Sequence, residues 1–255
     1  MKNSKLKFRT ELGLIKKNLR DPILMAAIIL VFSLVILFIL IPLTKILQES
    51  LFDKGVFSFI HYKKIFSQSI TLEVLWNTVL LATIVSVLST LIGFLFAYAS
   101  AYLKIANKKI FNAIAILPMI SPPFVIALST ILLFGRNGFI TRGIFGIREF
   151  SVYGLHGLTL VQTLTFFPVA YLLLVGLLKS IDPSVEEAAR DLGASRWQVF
   201  KTITLPLMVP GLANAFLLVF IQSIADFGNP MVIGGNFNTI AVQIYLQGIG
   251  NYDIG

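Results

Sequence analysis

Few side chains in this 255-residue sequence are equipped for covalent chemistry. It has no cysteine, which removes disulfides, thiolate metal sites and cysteine nucleophiles. Two histidines, His61 and His156, are too few for a His-based metal site without carboxylate help. There is no G-x-S-x-G elbow and no G-x-x-x-x-G-K-[ST] phosphate loop. An intramembrane protease or transferase needs a nucleophile–base pair or a carboxylate cluster at depth, and none is visible. The polar groups that lie in or beside apolar runs are Asn214, Gln222, Asp226 and Asn229. Asp226 ends an apolar run, where a carboxylate meets a cation or a residue of a docking protein, or is simply a solvated helix end. Asn214 and Gln222 share roughly one helical face; they line a pathway or hydrogen-bond to neighbouring helices. With Asn229 these residues are the candidates for a pathway or outer gate.

The densest run of functional groups is Lys179 to Pro206, KSIDPSVEEAARDLGASRWQVFKTITLP. Asp182 suits a helix N-cap and Pro183 the first helical position. Ser184 with Glu187 three residues on is an alternative capping box. Val185, Ala188, Ala189 and Leu192 follow the i, i+3, i+4, i+7 spacing and predict one apolar face. Glu186, Glu187, Arg190 and Asp191 lie mostly elsewhere. Gly193 ends the helix. Ser195 then caps a second short helix bearing Trp197, Phe200 and Ile203, and Pro206 marks entry to the next apolar run. Two short helices at an angle, with small residues and an exposed tryptophan, form a knob that fits a partner's groove. A helix lying on the bilayer surface is the competing reading. The net-acidic stretch Asp182 to Asp191 suits anionic lipid poorly, and an alanine face anchors weakly.

The elements that position these residues are membrane spans. Apolar side chains make up 56% of the sequence and charged ones 13%, against a usual charged share of roughly 25%. A soluble domain lacks cover at that composition, and intrinsic disorder is excluded by the abundance of large apolar residues. Five charge-free stretches, 22–44, 74–103, 110–135, 150–178 and 202–225, each exceed the roughly 20 residues that cross the hydrocarbon. The expected fold is therefore all-α, a polytopic transmembrane helical bundle with five visible spans. The expected organisation is a basic tail at 1–21, a first transmembrane helix at 22–47, and a core at 73–255. The core has spans near 74–103, 110–135, 153–178 and 205–226, the polar loop at 182–204, and an external loop at 227–255. That last stretch is charge-free to Tyr252 but too rich in Gly, Asn and Gln for lipid, so it reads as a loop with a short interfacial or re-entrant helix around 239–247.

With the N-terminus inside, the internal segments carry 14 Lys and Arg and the external ones 7. That bias places the N-terminus and the polar loop in the cytoplasm. The net charge of +9 is then an orientation signal rather than a nucleic-acid footprint. Pro118, Pro122 and Pro123 interrupt the third span, marking either a pathway-lining helix or a packing kink. Gly93, Gly176 and the Ser/Thr residues at 83, 86, 89 and 90 fit close helix packing. Arg136, Arg142 and Arg148 form a basic outer loop that meets an acidic protein lobe or remains solvated. Channels and secondary transporters usually show ionisable residues at membrane depth, and the spans carry none.

Glu187, Ala188, Ala189, then Gly193, then Ile203, Leu205 and Pro206 reproduce the pattern E-A-A, three residues, G, nine residues, I-x-L-P. From ordinary residue frequencies a chance match is rarer than about one in a million windows. In this the sequence resembles the coupling loop of binding-protein-dependent ABC importer permeases. The stretch Asp226, Phe227, Gly228, Pro230, Gly234, Gly235 and Asn236 is similar to the iron(III)-type branch. The resemblance implies that Glu187 and the alanines contact a separate cytoplasmic ATP-binding subunit, and that Gly193 permits the turn between two short helices. ATP and Mg²⁺ belong to that partner; no cofactor or metal is implied in this chain, and it is not itself the enzyme. The other implied partners are an extracytoplasmic solute-binding protein, a second permease half or homodimer mate, and the lipid bilayer. Ferric iron is the implied cargo, with phosphonate, polyamine and thiamine permeases as close relatives. Such permeases continue into a sixth span, so the sequence is expected to be a partial chain with that span missing.

Overall fold

The computed structural model describes residues 21–53, 55–147 and 151–250. Most of the basic tail, Arg148 of the outer loop and the end of the 227–255 stretch lie outside the described residues. Among the described residues, five helical segments are long and apolar enough to cross a membrane: Pro22–Leu51, Ser69–Tyr102, Phe124–Ile144, Leu155–Ser180 and Arg196–Ala225. The expected five-span helical bundle is what the chain forms. It divides into two compact units, residues 1–69 and 70–255.

The first unit carries helix α1, Pro22–Leu51. Asp21 caps it, its carboxylate accepting from the Ile23 amide at 3.0 Å, with Pro22 at the first position. Pro42 lies inside the helix and has no amide to donate. The turn before it widens to a π-helical segment, Ile36–Leu40, which lets the helix pass the proline ring. No residue of α1 is buried, as suits a helix bathed in lipid. A two-residue hairpin follows, β1 (Phe52–Asp53) against β2 (Val56–Phe57), then helix α2 (Ile60–Phe66).

The second unit holds the core. Helix α3, Ser69–Tyr102, buries one stripe: Val74, Thr78, Leu81, Val85, Ser89, Gly93, Ala97 and Ser100 recur every three or four residues. Ser86 and Thr90 widen this stripe, whereas Thr83 lies outside it and bonds its own helix at Val79 O. The stripe packs on helix α6, Leu155–Ser180. A Cβ built on Gly93 would stand 2.7 Å from the Ala170 Cβ and 2.8 Å from the Tyr171 backbone nitrogen, so only glycine permits this approach. Gly176 serves no such purpose: nothing lies within 4 Å of where its Cβ would be.

Residues 110–135, read above as one span, are two helices: α4 (Lys108–Ile120) and α5 (Pro123–Phe134). Ser121 and Pro122 between them are extended, with ψ of 142° and 143°. Each precedes a proline, whose ring disfavours the helical region for the residue before it. Pro118 is accommodated inside α4. The long apolar segment is displaced toward the C-terminus and ends in a π-helical stretch, Phe139–Ile144, so Arg136 and Arg142 belong to it rather than to an open loop. Arg142 donates to the Asn137 side chain at 2.6 Å.

Helix α6 is the hub, with α4, α5 and the fifth spanning helix packed around it. Asn112 on α4 fixes part of this arrangement. Its Oδ1 accepts from the Ser100 hydroxyl of α3 at 3.2 Å and from the Tyr171 hydroxyl of α6 at 2.7 Å. After the fifth span come α9 (Gly228–Ile233), where a loop was expected, and α10 (Ile240–Gly250), which overlaps the short helix expected around 239–247. Asn229, Pro230 and Ile233 are buried as α9 packs on α5 and α6. Asn229 is enclosed by protein and donates its side-chain amide to Asp226, whereas Asn236 and Gln247 are exposed.

Candidate functional site

Helix α7, Pro183–Asp191, opens the Lys179–Pro206 stretch. Asp182 caps it, accepting from the Ser184 amide at 3.0 Å, and the alternative Ser184–Glu187 box does not form. That hydrogen bond holds the Asp182 carboxyl below its ordinary pKa. At the other end Gly193 sits at φ +88°. Its amide donates to Arg190 O at 2.8 Å, and the Ala194 amide donates to Ala189 O at 3.0 Å. These two bonds close a helix that ends in a left-handed residue, the turn a glycine makes at lowest cost.

Ser195 restarts the chain as a reciprocal cap. Its hydroxyl accepts from the Gln198 amide at 3.3 Å, and the Gln198 side chain accepts from the Ser195 amide at 2.7 Å. The second helix is not a separate short piece. It continues as α8, Arg196–Ala225, into the fifth span. A π-helical segment at Phe200–Thr204 precedes Pro206, as one precedes Pro42 in α1. The widened turn carries the helix past the proline that was expected to mark the boundary. Trp197 stacks on Phe200 at 5.4 Å, and Phe200 meets Tyr98 at 5.5 Å, seating the start of α8 on α3.

The apolar face of α7 is turned outward. Leu192 is 90% exposed and Val185 46%; Ala188 is exposed and Ala189 half-buried. Glu187 is also exposed and makes no hydrogen bond or ion pair among the described residues. The one buried residue of the helix is Glu186. Its Oε1 accepts from the Tyr102 hydroxyl and from the Thr204 hydroxyl, each at 2.7 Å. A nine-residue helix with a small apolar face gains little by burying it, whereas a carboxylate between two hydroxyls gains two charge-assisted bonds. Of the remaining motif residues, Ile203 and Leu205 are half-buried and Pro206 and Gly193 exposed.

At the far end of α8, Asp226 and Asn229 come together as part of a larger network. Asp226 accepts from the Asn229 side-chain amide and from Gln162 Nε2, both at 2.8 Å. The Ser223 hydroxyl donates to Gln162 Oε1 at 2.6 Å. Asp226 is therefore neither a bare helix end nor a free carboxylate. Gln222 is half-buried and Asn214 exposed, and neither joins this network or bonds another side chain among the described residues. Gln162 and Ser223 were missed from the sequence; a lone glutamine within an apolar run is the signal that pointed to them. No group of three or more His, Asp or Glu able to hold a metal occurs among the described residues.

Five apolar spanning helices define a multi-pass helical protein of the inner membrane, and one of its connecting stretches carries a capped, exposed helix turned by Gly193. The chain belongs to the family described as binding-protein-dependent transport system inner membrane component, matched over residues 89–253. It is 38% identical over 237 residues to the ferric transport system permease protein FbpB of Actinobacillus pleuropneumoniae, covering 91% of this chain and 34% of that protein. FbpB 1 of Haemophilus influenzae is 37% identical over 235 residues, covering 91% of this chain and 37% of that one. The chain thus spans about a third of the length of these relatives. The molybdenum transport system permease protein ModB of Escherichia coli strain K12 is 33% identical over 181 residues, covering 67% of this chain and 78% of ModB. Among solved structures, a bacterial alginate ABC transporter shares the fold at a TM-score of 0.74 and 17% identity, covering 92% of this chain and 86% of that one.

Proposed function

We propose that this chain is part of the membrane subunit of an ATP-driven importer that passes ferric iron, delivered by an extracytoplasmic binding protein, across the inner membrane. The N-terminus and α7 face the cytoplasm, in keeping with the two-to-one excess of Lys and Arg in the segments assigned there. The observation that carries the reading is the outer face of α7: Glu187, Ala188 and Leu192 are exposed, while the helix is capped at both ends and buries Glu186. A small, ordered, unpartnered helix of this kind suits the groove of a separate ATP-binding subunit. ATP and Mg²⁺ are bound and ATP is hydrolysed there. Asn214, exposed on a spanning helix where lipid would leave its amide unsatisfied, supports a face turned to a second permease half or homodimer mate and the path between them.

Ferric cargo is supported by the FbpB relatives, matched over 91% of the chain. A second cargo, a molybdenum oxyanion, is favoured by the likeness to ModB. The docking test is co-purification of the ATPase with the membrane subunit. Glu187→Lys and Gly193→Trp should each abolish it while leaving membrane insertion intact; retention in both variants defeats the docking assignment. Uptake of labelled ferric iron against molybdate in a deletion strain decides the cargo. A strain with unchanged iron uptake discards iron.

A further inference from the structure

Helix α7 is fastened to the rest of its unit in an unusual way. None of its apolar side chains is buried; its one buried residue is Glu186. The Glu186 carboxylate reaches two helices at once. Tyr102, its first donor, is the last residue of α3, and Thr204, its second, lies eighteen residues on, where α8 enters the membrane. Two open clefts border the junction. One, of about 180 Å³, is lined in part by Glu186, Tyr98, Arg190 and Arg196. The other, of about 210 Å³, is lined in part by Glu186, Lys108, Lys179 and Pro183. Beside these clefts, two hydrogen bonds join the helix to two spans.

We propose that Glu186 is a positioning residue that transmits movement of α7 to the ends of α3 and α8. The proposal rests on the docking reading above and assigns the opposite face of the same helix. Glu187, Ala188 and Leu192 look outward to the ATPase; Glu186 looks inward to the spans. Charge-assisted hydrogen bonds are short and strong, and a buried carboxylate stripped of both donors is costly, so the three segments move together. A joint made of directional bonds beside open clefts can also change partners without repacking a core, which a tightly filled apolar contact cannot.

The test uses the full-length membrane subunit assembled with its ATPase and reconstituted in proteoliposomes, with its own binding protein carrying ferric iron added outside. Basal ATP hydrolysis, its stimulation by the loaded binding protein, and ATPase co-purification are read together. Glu186→Ala should keep co-purification and basal hydrolysis but lose stimulation by about tenfold. Glu186→Gln, whose side-chain oxygen still accepts from both hydroxyls, should recover most of it. The double variant Tyr102→Phe/Thr204→Val removes both donors with little change of shape and should match Glu186→Ala; it carries the test if Glu186→Ala folds poorly. Full stimulation in the double variant overturns the proposal. So does a Gln variant as defective as Ala, or loss of co-purification in the double variant, which would make Glu186 part of the docking surface. Retained co-purification in Glu187→Lys and Gly193→Trp would defeat the docking reading instead.

Discussion

Gln162 and Asp226, 64 positions apart, are joined by a 2.8 Å hydrogen bond that ties the N-terminal third of α6 to the end of the fifth span. Gln162 is buried and spends both ends of its amide, donating to Asp226 and accepting from Ser223. Replacing Asp226 with Ala leaves the Gln162 and Asn229 amides without their acceptor. Each buried group so orphaned costs about 1–3 kcal/mol. Asp226→Ala should therefore lower the thermal midpoint of the detergent-solubilised protein well beyond Asn214→Ala or Gln222→Ala, which break no bond. Equal midpoints across the three variants would contradict the network.

Gly93 and Gly176 look alike in the sequence, each a glycine within an apolar run, yet they should respond oppositely. A side chain at Gly93 meets the Ala170 Cβ and the Tyr171 backbone nitrogen, and backbone cannot step aside. Gly93→Leu should cost at least the usual overpacking penalty of about 1–3 kcal/mol and lose the monodisperse peak on size-exclusion chromatography. Gly176→Ala, with open space around it, should be neutral or stabilising by up to about 1 kcal/mol. A normal Gly93→Leu profile would show that α3 and α6 are not in close contact there.

What was legible from the sequence was local. Asp182, Gly193 and Ser195 cap and turn the chain through nearby backbone, so residue type and spacing sufficed to place them. The five spans followed from the bilayer's thickness and the positions of charges. Glu186 was not legible, because its partners Tyr102 and Thr204 lie 84 and 18 positions away. The spacing of Val185, Ala188, Ala189 and Leu192 marked an apolar face but not what covers it, and Leu192 stands 90% exposed. The residues after Asp226 misled for a different reason. Polar side chains are costly in lipid only when lipid surrounds them, and Asn229 is enclosed by protein.

Gly193 offers a graded test of the turn. Its φ of +88° is strained for any residue with a Cβ, and nothing crowds the position, so the cost is conformational. A non-glycine residue in the left-handed region costs about 1–2 kcal/mol, and asparagine tolerates it better than alanine or valine. ATPase co-purification should therefore fall in the order Gly, Asn, Ala, Val, while the bundle's thermal midpoint barely moves. An order that follows side-chain volume alone would mean that space at the docking surface, rather than backbone conformation, sets the result.

Asp182 predicts how the same helix responds to acid. Its carboxyl is held below the ordinary value of 3.8 because the ionised form accepts from the Ser184 amide. A group whose folded-state pKa is depressed contributes stability above its unfolded value, and loses it as the pH falls through the folded one. The cap should therefore be fully formed from neutral pH down to about pH 5 and weaken only below about pH 4. Hydrogen exchange of the amides at 184–191, corrected for the intrinsic pH dependence of exchange, should stay protected between pH 5 and 8 and lose protection below about pH 4. Asp182→Asn, which keeps an acceptor but no titrating group, should remove the acid step while preserving most of the protection at neutral pH. Asp182→Ala should reduce protection at every pH. Acid sensitivity that persists in the Asn variant would assign the step to another group.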